Sequence, residues 1–578
     1  MFAEMATSFS ELELLKDSWD RLAMARPAPE VFHTFAWARA WWEGYSREYE
    51  VFSPVVRDAS GQVVAIWPLV RRDGEIRALG EGASDHNDLL VSPENASSAL
   101  QAALDLLLEN CTAWNAGIIR HVSERGLLLK AAGIVTGAAR ASLEIAGGRR
   151  GWATVAEVGA AHFQHLARKE SLRRHRKKLE RLGPVTFRHI EDREEIKGHL
   201  DTFQRQHIER WALLGIRSRF FEASSKRYYA GLVDHLSPLG PLRFAVLEVG
   251  GRPAAYHLGF ESAGRYVWYK PTFDVDLWDS GPGEVLLQSV LQYCASAGIT
   301  ELDFTIGDDP YKSRFSNVTY GYFQIHLFSH RSASQYILHA REQLKKRPHI
   351  YRWANPHWVR GRGWFQRLRN VLKRDGLTGF AGERVRRLVR ACMFRRDEVS
   401  VFRLTQQGKV RHDRATPDVE VLPLRFSLLA EAALRYPDRF GPNHLRTFKE
   451  RIAAGDRGVV AVYRGGVAQV AWVGKRSAIV ATETGPRCAL PLSREADAIY
   501  DCWTPPECGD SGAHLAVLQW LVQEELHSGR EMWTYCLRED SASRTAILKA
   551  GFTEAARLVR TRWFGCLEKC RAIQTGET

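Results

Sequence analysis

The run DLWDSGPGEVLLQSVLQYCASAGITELDF, Asp276 to Phe304, sets the tightest limit on what this chain can fold into. Gly281 and Gly283 carry no Cβ and Pro282 fixes its own φ, so SGPGE is a loop whose backbone can come close to a ligand. From Glu284 the apolar residues Val285, Leu286, Val290, Leu291 and Ala295 recur near helical spacing, and Gly298 stands where a helix would stop. ITELDF then reads as a strand, with Ile299, Leu302 and Phe304 as its apolar members. A glycine loop, a helix with free N–H groups at its start and a returning strand form an α/β unit, and such a helix start can bind phosphate.

The residues ahead of this loop, LRFAVLEVGGRPAAYHLGFESAGRYVWYKPTF, alternate with period two and turn at Gly250-Gly251 and Ala263-Gly264. The order is therefore strand, strand, glycine loop, helix, strand. Two helices precede it. HLARKESLRRHRKKLERLG reads as one strongly basic helix with Leu166, Leu172, Leu179 and Leu182 on one face; its other face is either solvated or receives an anionic substrate. HLDTFQRQHIERWALLG is the second. Much of the pattern returns near the C-terminus, where hairpin strands lead into AIYDCWTPPECGDSGAHLAVLQWLVQEELHSG and EMWTYCLREDSASRTAILKAGF, and a repeated pattern predicts a repeated fold. Between about Glu11 and Gly147 an aromatic helix, a hairpin turning at Ala59 to Gly61 and the amphipathic helix NASSALQAALDLLLEN suggest another α/β unit without a glycine loop.

At 578 residues the chain is too long for one core. Its net charge of +14 is concentrated, because residues 341–397 hold 17 Lys and Arg against 4 Asp and Glu. That segment interleaves Trp353, Trp358, Trp364 and Phe365 with the charge and reads as a linker: a solvated connector, or one that docks on an anionic membrane surface, an envelope-synthesis complex or nucleic acid. The N-terminus has no basic leader with an apolar core, and no run of apolar residues is long enough to span a bilayer. Nine scattered cysteines fit reduced thiols in a cytosol, and their spacing suits no zinc site. The expected location is cytoplasmic, at the inner membrane surface if the linker docks there.

Further motifs carry a resemblance. In order along the chain, TFAWARAWW, SDHNDLLV, RHRKKLERLG, RQHIERWALLG, the glycine-loop run and IGDDPYKSRF resemble the CelD/BcsL branch of the GNAT acyltransferases, which is related to FemAB-like transferases that join two GNAT-like halves. The C-terminal DSASRTAILKAGF is similar to the end of a GNAT fold; in the loop before it Ala513 matches the family, while Cys508 and Ser511 stand where it has Arg or Gln and then Gly. The resemblance implies an α/β (α+β) fold of repeated GNAT-like units, with mixed, mostly antiparallel sheets flanked by helices. Residues 1–150 would be an N-terminal half domain, 151–335 the domain with the acyl-CoA loop, 336–397 the linker and 398–578 a C-terminal GNAT-like domain. It also implies a cytosolic acyltransferase of exopolysaccharide or cell-envelope assembly that uses acetyl-CoA or another acyl-CoA.

Acyl transfer to an amine needs a proton acceptor before attack on the thioester, and then stabilisation of the oxyanion and thiolate. Ser280, Gly281, Pro282, Gly283 and Glu284 are the expected donor-binding residues. Asp303 is expected as base or substrate anchor, Tyr311 as proton donor to the leaving thiolate and Lys312 as an anion contact, because they lie where an α/β sheet opens. His257 and Tyr269 on the preceding strands, and His207 and Trp211 on the helix before them, could face the same cleft. The acceptor would be an amine or a sugar. Two alternatives stand beside this one: transfer from aminoacyl-tRNA, whose phosphates the basic helix and linker could hold, and a non-catalytic scaffold of polysaccharide export.

Overall fold

The alternating residues before the glycine loop form an antiparallel meander, and the helix after the loop delivers the next strand parallel to it. The computed structural model describes residues 1–26, 29–135, 142–307, 309–328, 395–404, 418–440, 442–480, 489–525, 531–563 and 567–574. Most of the expected basic linker, including its tryptophans, lies outside them.

The N-terminal part contains β1 (Phe2–Ala6), α1 (Phe9–Leu14), α2 (Lys16–Met24), α3 (Phe35–Tyr45), β2 (Glu50–Val51), β3 (Ser53–Arg57), β4 (Val63–Ile66), β5 (Leu69–Arg72), β6 (Glu75–Ala78), β7 (Leu90–Val91), α4 (Ala96–Glu109), β8 (Ala116–Ser123) and α5 (Leu127–Val135). It is followed by β9 (Ser142–Val155), α6 (Ala160–Ala167), α7 (Glu170–Glu180), β10 (Val185–Ile190), α8 (Arg193–Leu213), α9 (Ala223–Leu236), β11 (Leu242–Val249), β12 (Arg252–Ser262), β13 (Arg265–Phe273), α10 (Pro282–Ser296), β14 (Glu301–Ile306), α11 (Pro310–Ser313) and β15 (Val318–Phe328). The C-terminal strands are β16 (Arg395–Leu404), β17 (Val419–Pro423), β18 (Arg457–Tyr463), β19 (Gly466–Val480), β20 (Ala489–Trp503), β21 (Met532–Leu537), β22 (Thr553–Trp563) and β23 (Leu567–Gln574).

The chain divides into two units, Met1–Arg210 with Arg217–Arg352 and Trp211–Ile216 with Trp353–Thr578. In the first, an 11-stranded sheet runs β10-β11-β12-β13-β14-β9-β15-β8-β6-β5-β2 beside a four-stranded sheet β1-β3-β4-β7. The long strand β9 crosses the boundary expected at residue 150, and β15 pairs with both β9 and β8, so the N-terminal strands join the sheet that carries the glycine loop. In the second unit the order is β17-β18-β19-β20-β21-β16-β22-β23, the same sequence of places as β10 to β8 in the first. Both successions contain one parallel step, β13 to β14 and β20 to β21. The repeated pattern of the sequence is a repeated mixed α/β topology.

Apolar periodicity explains how α10 is seated: Val285, Leu286, Val290 and Leu291 are fully buried against the sheet. The stretch read as a single basic helix is two. The Ala167 carbonyl at the end of α6 accepts from Gln288 Nε2 of α10 at 2.8 Å, and α7 begins anew at Glu170. Leu172 and Leu179 are buried, whereas Leu182 lies past α7 and is 58% exposed. On the other side of the sheet α3 and α9 come together through Gly44, where a Cβ would stand 2.7 Å from Tyr228 Cβ. Among the described residues no helix is long and apolar enough to cross a membrane.

One carboxylate ties several elements of the first unit together. Asp88 accepts from the first N–H groups of α5, Leu127 at 2.9 Å and Leu128 at 2.6 Å, and forms a buried ion pair with Arg26. Asp88→Ala would leave the buried guanidinium without a counter-charge, keeping its bond to the Leu89 carbonyl, and the helix start without its acceptor. A loss on the order of 3 kcal/mol or more is expected, read as a lower denaturant midpoint at unchanged m-value.

Candidate active site

Strands β13 and β14 pair for three residues only: Arg265 with Glu301, Tyr266 with Leu302 and Val267 with Asp303. β13 then runs on to Phe273 while β14 turns onto β9, and its ladder with β9 is irregular between Asp303 and Ile306. Thr305 there has a φ of 58° and donates its N–H to Asp303 Oδ1 at 2.7 Å. A V-shaped gap opens in the sheet, and the start of α10 stands beside it.

Gly281 holds the left-handed conformation, φ 64°, immediately before α10, and a Cβ on it would meet the His175 ring at 2.7 Å. Pro282 has no N–H, and the Glu284 and Val285 N–H groups donate to the Gly281 carbonyl at 3.0 and 3.2 Å. Of the expected donor-binding residues, Ser280 ends the turn before Gly281, and Glu284 is held by His175 Nδ1 at 3.1 Å and Arg314 Nη1 at 3.2 Å. Lys178 of α7 donates to Asp279 at 3.1 Å. The basic helix and the glycine loop, read separately in the sequence, are thus neighbours, and His175, Lys178 and Arg314 stand at the helix start, paired with Glu284 and Asp279.

Asp303, Tyr311 and Lys312 come together at the β14 side of the gap. Asp303 is 1% exposed; burial raises its pKa, against the opposing pull of His86 and Arg265. The Tyr311 hydroxyl accepts from Trp268 Nε1 at 3.1 Å, and burial pushes its pKa up to about 12. Lys312 is buried, donates to the Ile306 carbonyl at 2.8 Å and lies 3.4 Å from Asp309; burial lowers its pKa.

The remaining candidates take other places. His257 lies inside the sheet: its Nε2 accepts from the Tyr269 N–H at 3.1 Å, so Nδ1 carries the hydrogen that meets Tyr266 Oη at 3.2 Å. Burial holds this imidazole neutral, far below its usual pKa. Tyr269 is buried and donates its hydroxyl to the Ala83 carbonyl at 2.7 Å. His207 Nδ1 meets Ser218 Oγ at 2.9 Å, and its pKa falls to about 3 through burial and the nearby Lys270 and Arg210. Trp211 is half-buried in the last turn of α8, its carbonyl accepting from Leu214 and Ile216, both at 3.0 Å.

Sequence reasoning missed a charged cluster next to Asp303. Glu30 accepts from His86 Nδ1 at 2.7 Å and from Arg265 Nη1 at 2.9 Å, and Arg265 also reaches Glu301 at 3.1 Å. Burial alone would strip the His86 proton, but the Glu30 carboxylate, with Asp303 and Asp85, holds its pKa at about 9. Also missed were Arg210, which donates to the Pro271 carbonyl on the diverging part of β13 at 2.8 Å, and Glu209, whose pKa burial raises to about 7 beside Asp274 and Asp276. Their neighbours in RQHIERWALLG were singled out instead, because a carboxylate crowded by others is visible only once the strands have brought Asp274 and Asp276 against α8.

Residues 167–313 match the family model described as an acetyltransferase (GNAT) domain. The match runs from the last residue of α6 through α11 and so contains both edges of the gap and the loop between them. No curated protein sequence matches the chain. Among solved structures the chain is similar to FemX, with 12% identity and a TM-score of 0.40 over 56% of this chain and 97% of that one. It is similar also to the C-terminal domain of a putative lysylphosphatidylglycerol synthetase from Agrobacterium fabrum, at 12% identity and a TM-score of 0.35 over 57% and 96%. A tandem GNAT protein from the clavulanic acid biosynthesis pathway gives 14% and 0.33 over 57% and 99%.

The charged cluster makes a prediction about pH. The His86 pKa is about 9 in the folded chain, against about 6.5 for a free imidazole, so its stabilisation is complete below about pH 6.5 and is lost as the pH rises through 9. The amount is roughly 3 kcal/mol. Thermal melts of the parent should fall in Tm across that window, and His86→Gln should melt lower at pH 6.5 but with a flatter alkaline slope.

Proposed function

We propose that the first unit moves an acyl group directly from an acyl-CoA thioester to an amine or sugar acceptor. The observation that carries this reading is the gap between β13 and β14 with the start of α10 beside it. The amides of a pantetheine arm can pair with the free edge of a strand that has left its partner, and a pyrophosphate suits the Gly283 N–H with His175, Lys178 and Arg314 around it.

In such a reaction an amine acceptor gives its proton to a carboxylate and its nitrogen attacks the thioester carbonyl carbon. The C–N bond forms as the oxygen takes up negative charge; the C–S bond then breaks and the thiolate takes the Tyr311 hydroxyl proton. With its pKa pushed to about 12 by burial, Tyr311 keeps that proton at neutral pH. Two carboxylates suit the base. Asp303 adjoins the gap but is enclosed, and Glu209, half-buried on α8 and pushed by burial to about 7, is matched to proton transfer near neutrality. Asp303→Asn and Glu209→Gln assign the role: the true base loses about 10²-fold or more in kcat. A place in exopolysaccharide or cell-envelope assembly rests on the motif resemblance alone.

A second reading has an observation of its own. Arg173, Arg174, Lys177 and Arg181 are exposed along α7 and its end without an ion pair among the described residues, a row of charge that suits the phosphates of an aminoacyl-tRNA donor.

The two readings part in one set of titrations. Calorimetry with acetyl-CoA should show binding that Gly283→Trp abolishes, since even a Cβ there meets the Phe273 ring at 3.1 Å. Tyr311→Phe should keep binding but slow thiol release to a panel of amines by about 10²-fold. Binding of tRNA that weakens steeply with salt, with none of acetyl-CoA, would favour the second donor.

A further inference from the structure

The residue that follows the last parallel pair is Trp268, and its side chain crosses the gap. Val267 is the last residue of β13 in register with β14. The Trp268 indole, 2% exposed, reaches over to donate Nε1–H to Tyr311 Oη at 3.1 Å, and Tyr311 meets Phe304 of β14 edge-on, with ring centroids 6.2 Å apart. One strand's side chain is thereby tied to the segment that continues the other, at the closed end of the V.

This strap is rigid for a reason that also explains His257. The His257 ring stacks on the indole with centroids 4.2 Å apart and planes 12° apart, and its two nitrogens are fixed by the Tyr269 N–H and the Tyr266 hydroxyl. The ring has its place because residue 259 is glycine: a Cβ there would lie 2.0 Å from His257 Cε1 and 2.5 Å from the Val267 carbonyl oxygen. Gly259 makes room for His257, His257 backs Trp268, and Trp268 holds Tyr311. Tyr266, Leu302 and Leu286 are buried in the same core cluster as the indole.

We propose that Trp268 is the specificity-determining wall of the donor site and admits a short acyl group only; this rests on the reading that acyl-CoA is the donor. A thioester whose sulfur lies in reach of the Tyr311 hydroxyl puts the acyl carbons against the indole face. Each further methylene then has to displace a side chain braced by His257. His257 acts here as a positioning residue and touches no substrate.

The test is calorimetry on the full chain with CoA, acetyl-CoA, butanoyl-CoA and octanoyl-CoA, for the parent, Trp268→Ala and Trp268→Leu. In the parent the Kd for octanoyl-CoA should exceed that for acetyl-CoA by about 10-fold or more, the scale on which a few methylenes are discriminated by a pocket of fixed size. Trp268→Ala should lower that ratio by at least about 10-fold by opening a cavity, and Trp268→Leu should fall between. If Trp268→Ala fails to melt cooperatively, Trp268→Leu, which keeps an apolar contact with His257, carries the comparison. A parent that binds both acyl-CoAs equally, or variants whose ratio equals the parent's while acetyl-CoA still binds, would overturn the wall and leave the donor reading standing. A parent that binds no acyl-CoA overturns both.

Discussion

Two neighbouring strands that pair for three residues and then separate set the terms for everything around them. Parting a parallel pair leaves backbone N–H and C=O groups on two inner edges, and a buried edge must find partners. Part of the need is met by side chains, by Arg210 on the Pro271 carbonyl and by Asp303 accepting from Thr305. The gap persists because each side is held elsewhere: β13 by its ladder with β12, β14 by its ladder with β9. Opening it needs no motion, and the adjacent start of α10 comes with the crossover that makes the two strands parallel.

Beside the gap the chain accepts a cost that most cores avoid. Glu30, His86, Arg265, Glu301 and Asp303 bring charge into a region with little water, where a charge without a partner is strongly destabilising. The cluster is tolerable because it is closed on itself: Glu30 accepts from both cations, and Glu301 receives Arg265 and, at 2.8 Å, Arg125. Its members come from the N-terminal segment, the loop after β6, the start of β13 and β14. The same bonds that hold those elements together set the field at Asp303, so stability and site electrostatics share one network.

Local patterns were legible where they are decided locally. The meander from Leu242 to Phe273, the glycine loop, α10 and the strand after it follow from alternation, from Gly281 and Gly298 and from apolar spacing. The recurrence of that pattern near the C-terminus predicted a repeated fold, and the second unit's strand order repeats that of the first. What failed to show was side-chain partnership across long separations. Arg265 and Glu30 are 235 positions apart, and nothing in either stretch names the other. His257 and Tyr269 could be placed on adjacent strands, yet the bonds of the imidazole to the Tyr269 N–H and of the Tyr269 hydroxyl to the Ala83 carbonyl could not be read, since the strand register, which shifts between Leu258 and Phe260, is not written in either stretch. The basic run 166–182 was misread as one helix for a related reason: its break at Arg168–Lys169 answers to Gln288 of α10, not to a local breaker.

The second unit parts its own parallel strands after two pairs, Asp497 with Met532 and Ala498 with Trp533, but fills the free stretch of β20 differently. Asp501 there receives Arg439 and Arg451, and the rings of Tyr436 and Phe440 stand against Trp503. A donor that belongs to the first unit should therefore leave a mark in one place only. Hydrogen–deuterium exchange of the full chain with and without CoA reads this directly. Protection of residues 268–273 and 281–285, with 499–503 unchanged, is the predicted result; no change at 268–273 and 281–285 under saturating CoA would contradict the account.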